Sequence, residues 1–326
     1  MQFEKISEIP YFDKEEIKTR AAPSLSFYDK GQWHVWLHDP NKGCLKIHIK
    51  DVIEFGYFGS TSAGESHLSL PFLDFVVQRA ITKETSRYIP GITSDLQNFG
   101  ATLAKLRILH FYGLSTGKNV TRPVVTEIEY LFGLARSFFD LLQETIAGIW
   151  STVRFRDPNL KKKNLKKSFS DIVLFDNKLL TAAEIAERHY LPMRLAEFYA
   201  KQAPFYQRIK AYRESVYHFG ASPELIFQTE KGFAVKSDQP PFAALISWPF
   251  DHALPNDLNS LHFAFAKIID CTIQACNDMA AAFLETIQFP PPIAPGFDYY
   301  LAGRHISEIS SIENSIHKSP WPEPQI

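Results

Sequence analysis

Residues 203–220 read APFYQRIKAYRESVYHFG, and this stretch decides the reading of the whole chain. Pro204 suits the first turn of a helix, where its missing N–H leaves nothing unpaired. Gly220 suits the position just past a helix end. Between them Phe205, Ile209, Tyr212 and Val216 recur at four, three and four, the spacing of one buried helical stripe. At about 100° per residue, Arg213 falls about 70° from the centre of that stripe and His218 about 150° from it. Glu214 and His218 are four apart and share a face. The last turns of this helix therefore carry an arginine, a carboxylate, a tyrosine (Tyr217) and a histidine.

Outward from this helix, the composition is that of a globular protein. The chain has 326 residues, 45% hydrophobic and 22% charged, with 27 Phe and a net charge of −1. A sizeable, phenylalanine-rich core is expected. The balanced charge gives no global attraction for nucleic acid, so any such binding requires a local patch. Cys44, Cys271 and Cys276 make no disulfide framework, and the N-terminus has no signal-like pattern. A cytoplasmic protein is expected. No apolar run reaches the roughly 18 residues of a membrane span.

In the N-terminal part, residues 32–38 (QWHVWLH) and 44–50 (CLKIHIK) alternate around DPNKG, a strand–turn–strand signal. The alternation assigns Val35, Leu37, Leu45, Ile47 and Ile49 to a buried face. His34, Trp36, His38, Cys44, Lys46 and His48 fall on the other. Residues 51–64 read as a further strand ending in a Gly/Ser loop, and residues 71–82 fit either a short helix or a strand. From about residue 95 the pattern is helical, with Leu96, Phe99, Leu103, Leu106 and Phe111 in phase. A long helix opens at Pro123 and keeps Ile128, Leu131, Ala135, Phe138, Leu142, Ile146 and Ile149 on one stripe to about Val153. The basic stretch RFRDPNLKKKNLKKS reads as a loop. Thr181 caps a helix kinked at Pro192, which leads into the helix opened by Pro204. A second hairpin follows at ELIFQTE–KG–FAVKS, with FAALISW as a third strand. Asn256 or Asp257 caps the last long helix, and prolines 290–292 stop it. The tail reads as Pro-rich and loosely packed.

These elements predict a mainly α (α+β) protein. Its centre is an antiparallel bundle of four to five long helices, with an N-terminal β-hairpin region and a small inserted β-hairpin near 224–248. The expected organisation is an α+β accessory region over 1–90, the bundle over 91–289 and a tail over 290–326.

The bundle resembles the HEPN superfamily. Its members carry an arginine, four to six residues, then a histidine, at a helix end; Arg213-Glu-Ser-Val-Tyr-His218 fits with four between. An upstream helix reading YLFGLARSFFDLLQ (Tyr130 to Gln143) is also similar to one in that superfamily. The resemblance covers roughly residues 95–288. The residue after the arginine is Glu214, where active members most often carry Asn, Asp or His. The resemblance implies a homodimer with its motifs lining a shared cleft, and metal-independent cleavage of RNA in a defence or toxin–antitoxin setting. Arg213, Glu214, Tyr217 and His218 are then the catalytic candidates, RNA the substrate, and an antitoxin or other protein a partner; no cofactor is implied. The alternative is a non-catalytic RNA-binding or protein-interaction module on the same bundle.

The chemistry suits the residues. A histidine can move a proton to or from a 2′-OH or leaving oxygen near neutral pH. An arginine can hold a phosphate bidentately and oppose the charge that develops. The ordinary alternative is that Glu214 and His218 form an i,i+4 surface pair.

Three further sets carry chemistry. Lys161, Lys162, Lys163, Lys166 and Lys167 form a basic run able to track an RNA backbone, or simply a solvated loop. His34, His38, Cys44 and His48 have the types of metal ligands, but opposed pairs are too spread for one tetrahedral ion, and a Trp36–Lys46 stack fits that face better. Arg136 and Asp140 read as an intrahelical pair, and Cys271 and Cys276 as core thiols.

Overall fold

The computed structural model describes residues 3–49, 54–82, 85–219 and 225–322, apart from the side chains of residues 217–219 and 250. The described chain is 51% helical and 16% strand, a mixed α and β protein with long helices and a large mixed sheet. It divides into two compact units, each gathered from three stretches. The first holds Met1–Ser94, Asp140–Lys201 and Cys276–Ser307; the second holds Asp95–Phe139, Gln202–Ala275 and Glu308–Ile326. The long helices Ile89–Thr116, Thr121–Ile149, Met193–Phe219 and Leu261–Thr286 contribute residues to both. Among the described residues no helix is long and apolar enough to cross a membrane.

The first unit is built on a seven-stranded sheet. From edge to edge its strands are Phe3–Glu4, Gly43–Ile47, Gln32–Asp39, Ser26–Asp29, Phe55–Gly59, Asp298–Ala302 and Leu68–Ser69. The DPNKG turn sets the hairpin register, pairing His38 with Cys44 and Trp36 with Lys46. Asp39 Oδ1 accepts the N–H groups of Asn41 and Lys42 at 2.8 and 3.0 Å, and Gly43 takes φ 106°. This Asx turn fixes the reversal. The sheet is mixed because Phe55–Gly59 runs parallel to Ser26–Asp29.

Burial on the hairpin follows its alternation at Val35 but departs from it at three other positions. Trp36 and Cys44 are buried, whereas Leu37 is 56% exposed. The reason lies in the aromatic rings that meet this face. Phe27 stacks on Phe58 at 5.3 Å and meets Trp36 edge-on at 6.0 Å, and Tyr11 reaches Trp36 at 6.1 Å. The Trp36 Nε1–H donates to Glu4 at 3.0 Å. A large ring with a satisfied N–H outweighs a leucine in this competition.

The tail is a second correction. Asp298–Ala302 is an interior strand, pairing with Phe55–Gly59 on one side and Leu68–Ser69 on the other. Tyr299, Leu301 and Ala302 are buried, as are Ile306, Ile309, Ile312 and Trp321 further on. The preceding helix ends at Thr286, where Ile287–Gln288 leave it to pair with Arg154–Phe155, ahead of the prolines of 290–292. The DYYLA segment beyond the prolines supplies a buried strand. Residues 71–82 form a helix over Pro71–Phe75 that widens into a π turn over Val76–Ala80.

Asp74, on that short helix, accepts the N–H of Tyr299 at 2.8 Å. Burial, reinforced by Asp298, raises its carboxyl from 3.8 to about 6. A raised carboxyl favours the protonated folded state, so stability falls as pH climbs through this window. The loss is absent below about 3.8 and complete above about 6, and is roughly 3 kcal/mol at most. Asp74→Asn keeps the acceptor for Tyr299 and removes the charge. Its melting temperature is expected to exceed wild type at pH 7, with the gain vanishing at pH 4.

Helix boundaries follow local chemistry with three corrections. Thr181 caps Ala182–His189 as expected, in a capping box with Glu184. That helix then ends at Tyr190 in the left-handed region (φ 55°, ψ 47°). The next helix starts at Met193, just past Pro192, and Pro204 lies inside it. Pro192 is thus a starter where a kink is predicted, and Pro204 an interior residue where a start is predicted; local proline rules permit either. FAALISW contains a 3₁₀ turn, Phe242–Ala244, and the third strand is Leu258–Ser260. Asn256 and Asp257 take φ of 66° and 56°, and Ser260 Oγ accepts the Phe263 N–H at the helix start instead.

The second unit has a core of Leu96, Phe99, Leu103, Ile128, Phe132, Phe138, Ile209 and Phe265, all buried. Phe227–Gln228, Phe233–Lys236 and Leu258–Ser260 form its antiparallel three-stranded sheet. The cysteines are unpaired: Cys44 and Cys276 are buried and Cys271 half-buried. Burial holds the Cys276 thiol well above its ordinary pKa.

Candidate functional site

The helix carrying the Arg213–His218 motif buries a different stripe from the predicted one. Leu195, Tyr199, Gln202, Tyr206 and Ile209 are buried at spacings of four, three, four and three. Phe205, Tyr212 and Val216 are only half-buried. The buried residues lie about 70° round the helix from the predicted stripe. At about 100° per residue, Arg213 falls on the centre line of the observed stripe rather than beside it. It is half-buried, at the point where the apolar stripe reaches its end.

Around it, Tyr212 packs against Phe132 with ring centroids 4.3 Å apart. The Tyr212 hydroxyl is buried without a hydrogen-bond partner among the described residues. Burial, with Glu129 adding to it, raises its pKa. Glu214 is exposed, its carboxylate 3.8 Å from the Lys210 ammonium one turn earlier. Tyr217 and His218 belong to the helix, which runs to Phe219, but their side chains lie outside the described residues. Arg136 lies over the ring of Tyr206 at 5.2 Å, a cation–π contact the sequence reading did not anticipate.

The basic run is an ordered strap in the first unit. Gln143 donates to the Lys166 carbonyl at 2.7 Å, and the Trp150 indole to the Lys163 carbonyl at 2.7 Å. Leu165 is buried between flanking lysines that are exposed. The five lysines do not act alike. Lys162 donates to the carbonyls of Trp150, Ser151 and Val153 at 2.8, 3.2 and 2.7 Å, satisfying acceptors where the Thr121–Ile149 helix ends. Desolvation, with Arg154 nearby, lowers its pKa. Lys163 lies 3.9 Å over the Tyr190 ring. Lys161, Lys166 and Lys167 make no salt bridge among the described residues. Lys162→Ala is therefore expected to lower the melting temperature, and Lys161→Ala, Lys166→Ala and Lys167→Ala to leave it unchanged. Equal melts for all four would refute this division of roles.

On the hairpin, His34 is 5.3 Å from the Tyr11 ring and its Nδ1 is 3.4 Å from the Lys46 ammonium. Lys46 lies over Trp36 at 5.1 Å, the stack expected from the pairing. No cluster of three or more His, Cys, Asp or Glu placed to hold a metal occurs among the described residues.

Sequence reasoning missed a cavity of about 530 Å³ in the second unit. Its basic wall has Arg107, His110, Lys231 and His252; its apolar wall has Phe111, Leu114, Trp321 and Pro322. Arg107 forms a two-pronged pair with Glu308. His110 Nε2 is 2.6 Å from the Thr229 carbonyl, so that nitrogen carries the proton and donates. A recess of about 10 Å³ shares Arg107, His110 and Pro322 with the cavity and is also lined by His262. His262 Nε2 is 3.3 Å from Ser315 Oγ, while its Nδ1 is buried and unpartnered among the described residues. Burial, with Arg107 nearby, presses His262 down to about 4. The sequence signal was faint: Phe111 was read as core, yet it is 63% exposed.

Comparison of the chain with protein families, curated proteins and solved structures gives no match.

Proposed function

We propose that this protein is a metal-independent endoribonuclease of the HEPN kind, with its long helices as an antiparallel bundle and Arg213 and His218 as the cleaving pair. The observation that carries the reading is the placement of Arg213 on the buried line of an uninterrupted helix, half-buried at the stripe's end. Packing of its stem restrains an otherwise mobile side chain and so lowers the entropy lost when the guanidinium grips a phosphate. His218 supplies the proton transfer at the 2′-OH or the leaving oxygen. Glu214, offset from Arg213 and close to Lys210, tunes local charge rather than reacting. Two copies of the motif meeting across a dimer axis complete the cleft, and an antitoxin or other protein partner restrains it in a defence setting.

A second reading has its own observation. The lysine strap is held in place by Gln143 and Trp150 while Lys161, Lys166 and Lys167 remain exposed. An ordered row of cations suits a phosphate backbone, so RNA binding without cleavage is the alternative.

The test is incubation of the purified protein with bulk RNA, with and without EDTA. Cleavage that persists in EDTA is expected, because the motif itself supplies the base and the cation. Cleavage abolished by EDTA and restored by magnesium would overturn the reading. Neutralising Lys161, Lys166 and Lys167 together is expected to weaken RNA binding and flatten its salt dependence, the chemical step being unchanged.

A further inference from the structure

We propose that the cavity bounded by Lys231 and Trp321 binds a planar aromatic anion of nucleotide size, with its ring against Phe111 beside Trp321 and its anionic group at Lys231. This site is independent of the Arg213–His218 motif and of any cleavage.

Size sets the first limit. A volume of about 530 Å³ falls within the usual range for small-ligand pockets and is ample for a nucleoside monophosphate. Charge sets the second. Four basic side chains face one carboxylate, Glu230, in the wall. Arg107 is already occupied by Glu308. Lys231 makes no salt bridge among the described residues. With its Nε2–H given to Thr229, His110 keeps Nδ1 as an acceptor for a ligand N–H or O–H. Lys231 is thus the cation in the wall without a carboxylate partner among the described residues, and an anion answers it with a charge-assisted hydrogen bond.

Shape sets the third. Phe111 projects from the Ile89–Thr116 helix at 63% exposure. Trp321 is anchored by its indole N–H to the His252 carbonyl at 3.3 Å, which fixes the ring at the cavity wall. Flat rings stack on an exposed aromatic face such as that of Phe111 with little sequence or substituent preference, while the largely buried Trp321 closes the wall beside it. The adjoining recess adds an independent sign. His262 is 6% exposed, its Nδ1 has no partner among the described residues, and Arg107 Nε is likewise buried and unpartnered. Buried polar atoms normally have partners. A recess of about 10 Å³ is at the lower limit for one water. A polar ligand atom or a single water reaching it would satisfy these groups.

The experiment is calorimetric titration of the full chain with AMP, GMP, CMP and UMP, and with adenosine and inorganic phosphate as the two halves. At least one monophosphate is expected to bind, and both halves to bind about tenfold or more weakly. Lys231→Glu and Phe111→Ser are each expected to weaken binding about tenfold. Both side chains lie at the surface, so melting temperatures should match wild type. No binding of any monophosphate at millimolar concentration would overturn the proposal. So would phosphate binding as tightly as the monophosphate, or either folded variant binding as well as wild type.

Discussion

Leu301→Pro is expected to leave the first unit without its folded sheet. Leu301 is 1% exposed and pairs with Gly56 on one side and Leu68 on the other. A proline there removes a backbone donor from an interior strand and a leucine side chain from the core. The residue two before it in the strand makes compensation difficult. Tyr299 is also buried, and its hydroxyl lies so close to Gly56 that a Cβ at that glycine would overlap it. The strand therefore cannot slide or tilt without displacing that ring. Leu301→Ala is the graded version: it keeps the ladder and is expected to cost about 2–5 kcal/mol. Whole domains are stable by only about 5–15 kcal/mol, so the proline variant should exhaust that margin. Circular dichroism and limited proteolysis check this directly. If Leu301→Pro retains wild-type melting and protease resistance, the segment after the prolines is the loose tail that composition suggests, and the interior strand is wrong.

That strand shows where sequence reading stops. DYYLA is short, and the prolines around it dominate the composition of the segment. Its partners, Phe55–Gly59 and Leu68–Ser69, lie more than two hundred residues away in the chain, so no local pattern joins them. The hairpin is the contrasting case. Its register was legible because DPNKG is a local device, and His38 does face Cys44. Its burial was legible at Val35 but not at Trp36, because that depends on Tyr11, Phe27 and Phe58, which arrive from other segments. The same division holds at the candidate site. The helix of 193–219 was legible as a helix, but which of its faces is buried depends on rings from another segment, Phe132 against Tyr212 and Phe139 against Tyr206. Phe205, Tyr212 and Val216 suggest one face, whereas Leu195, Tyr199, Tyr206 and Ile209 bury the adjoining one, on which Arg213 falls. The lysine run was visible as charge, whereas Lys162 as the partner of three carbonyls was not, since Trp150, Ser151 and Val153 belong to the preceding helix end.

The position of Arg213 on the buried line changes what the motif variants should do. His218→Ala is expected to lower cleavage of bulk RNA by ~10²–10⁴-fold, the usual contribution of a positioned proton-transfer group. Arg213→Ala is a less clean probe than the sequence implies. A side chain on the buried line contributes packing through its stem, so alanine should lower both cleavage and the melting temperature. Arg213→Lys separates the two effects. It keeps the charge and an apolar stem but loses the planar fork that meets a phosphate bidentately. Cleavage should fall while the melt stays near wild type. The measurements are initial rates on one RNA substrate in EDTA, with thermal melts of every variant. A His218→Ala protein that cuts as fast as wild type removes the ribonuclease mechanism altogether. A wild type that binds RNA in a salt-dependent way but never cuts it selects the binding module. An Arg213→Lys protein that melts far below wild type makes the guanidinium a structural group, and the motif then has no cation to offer a phosphate.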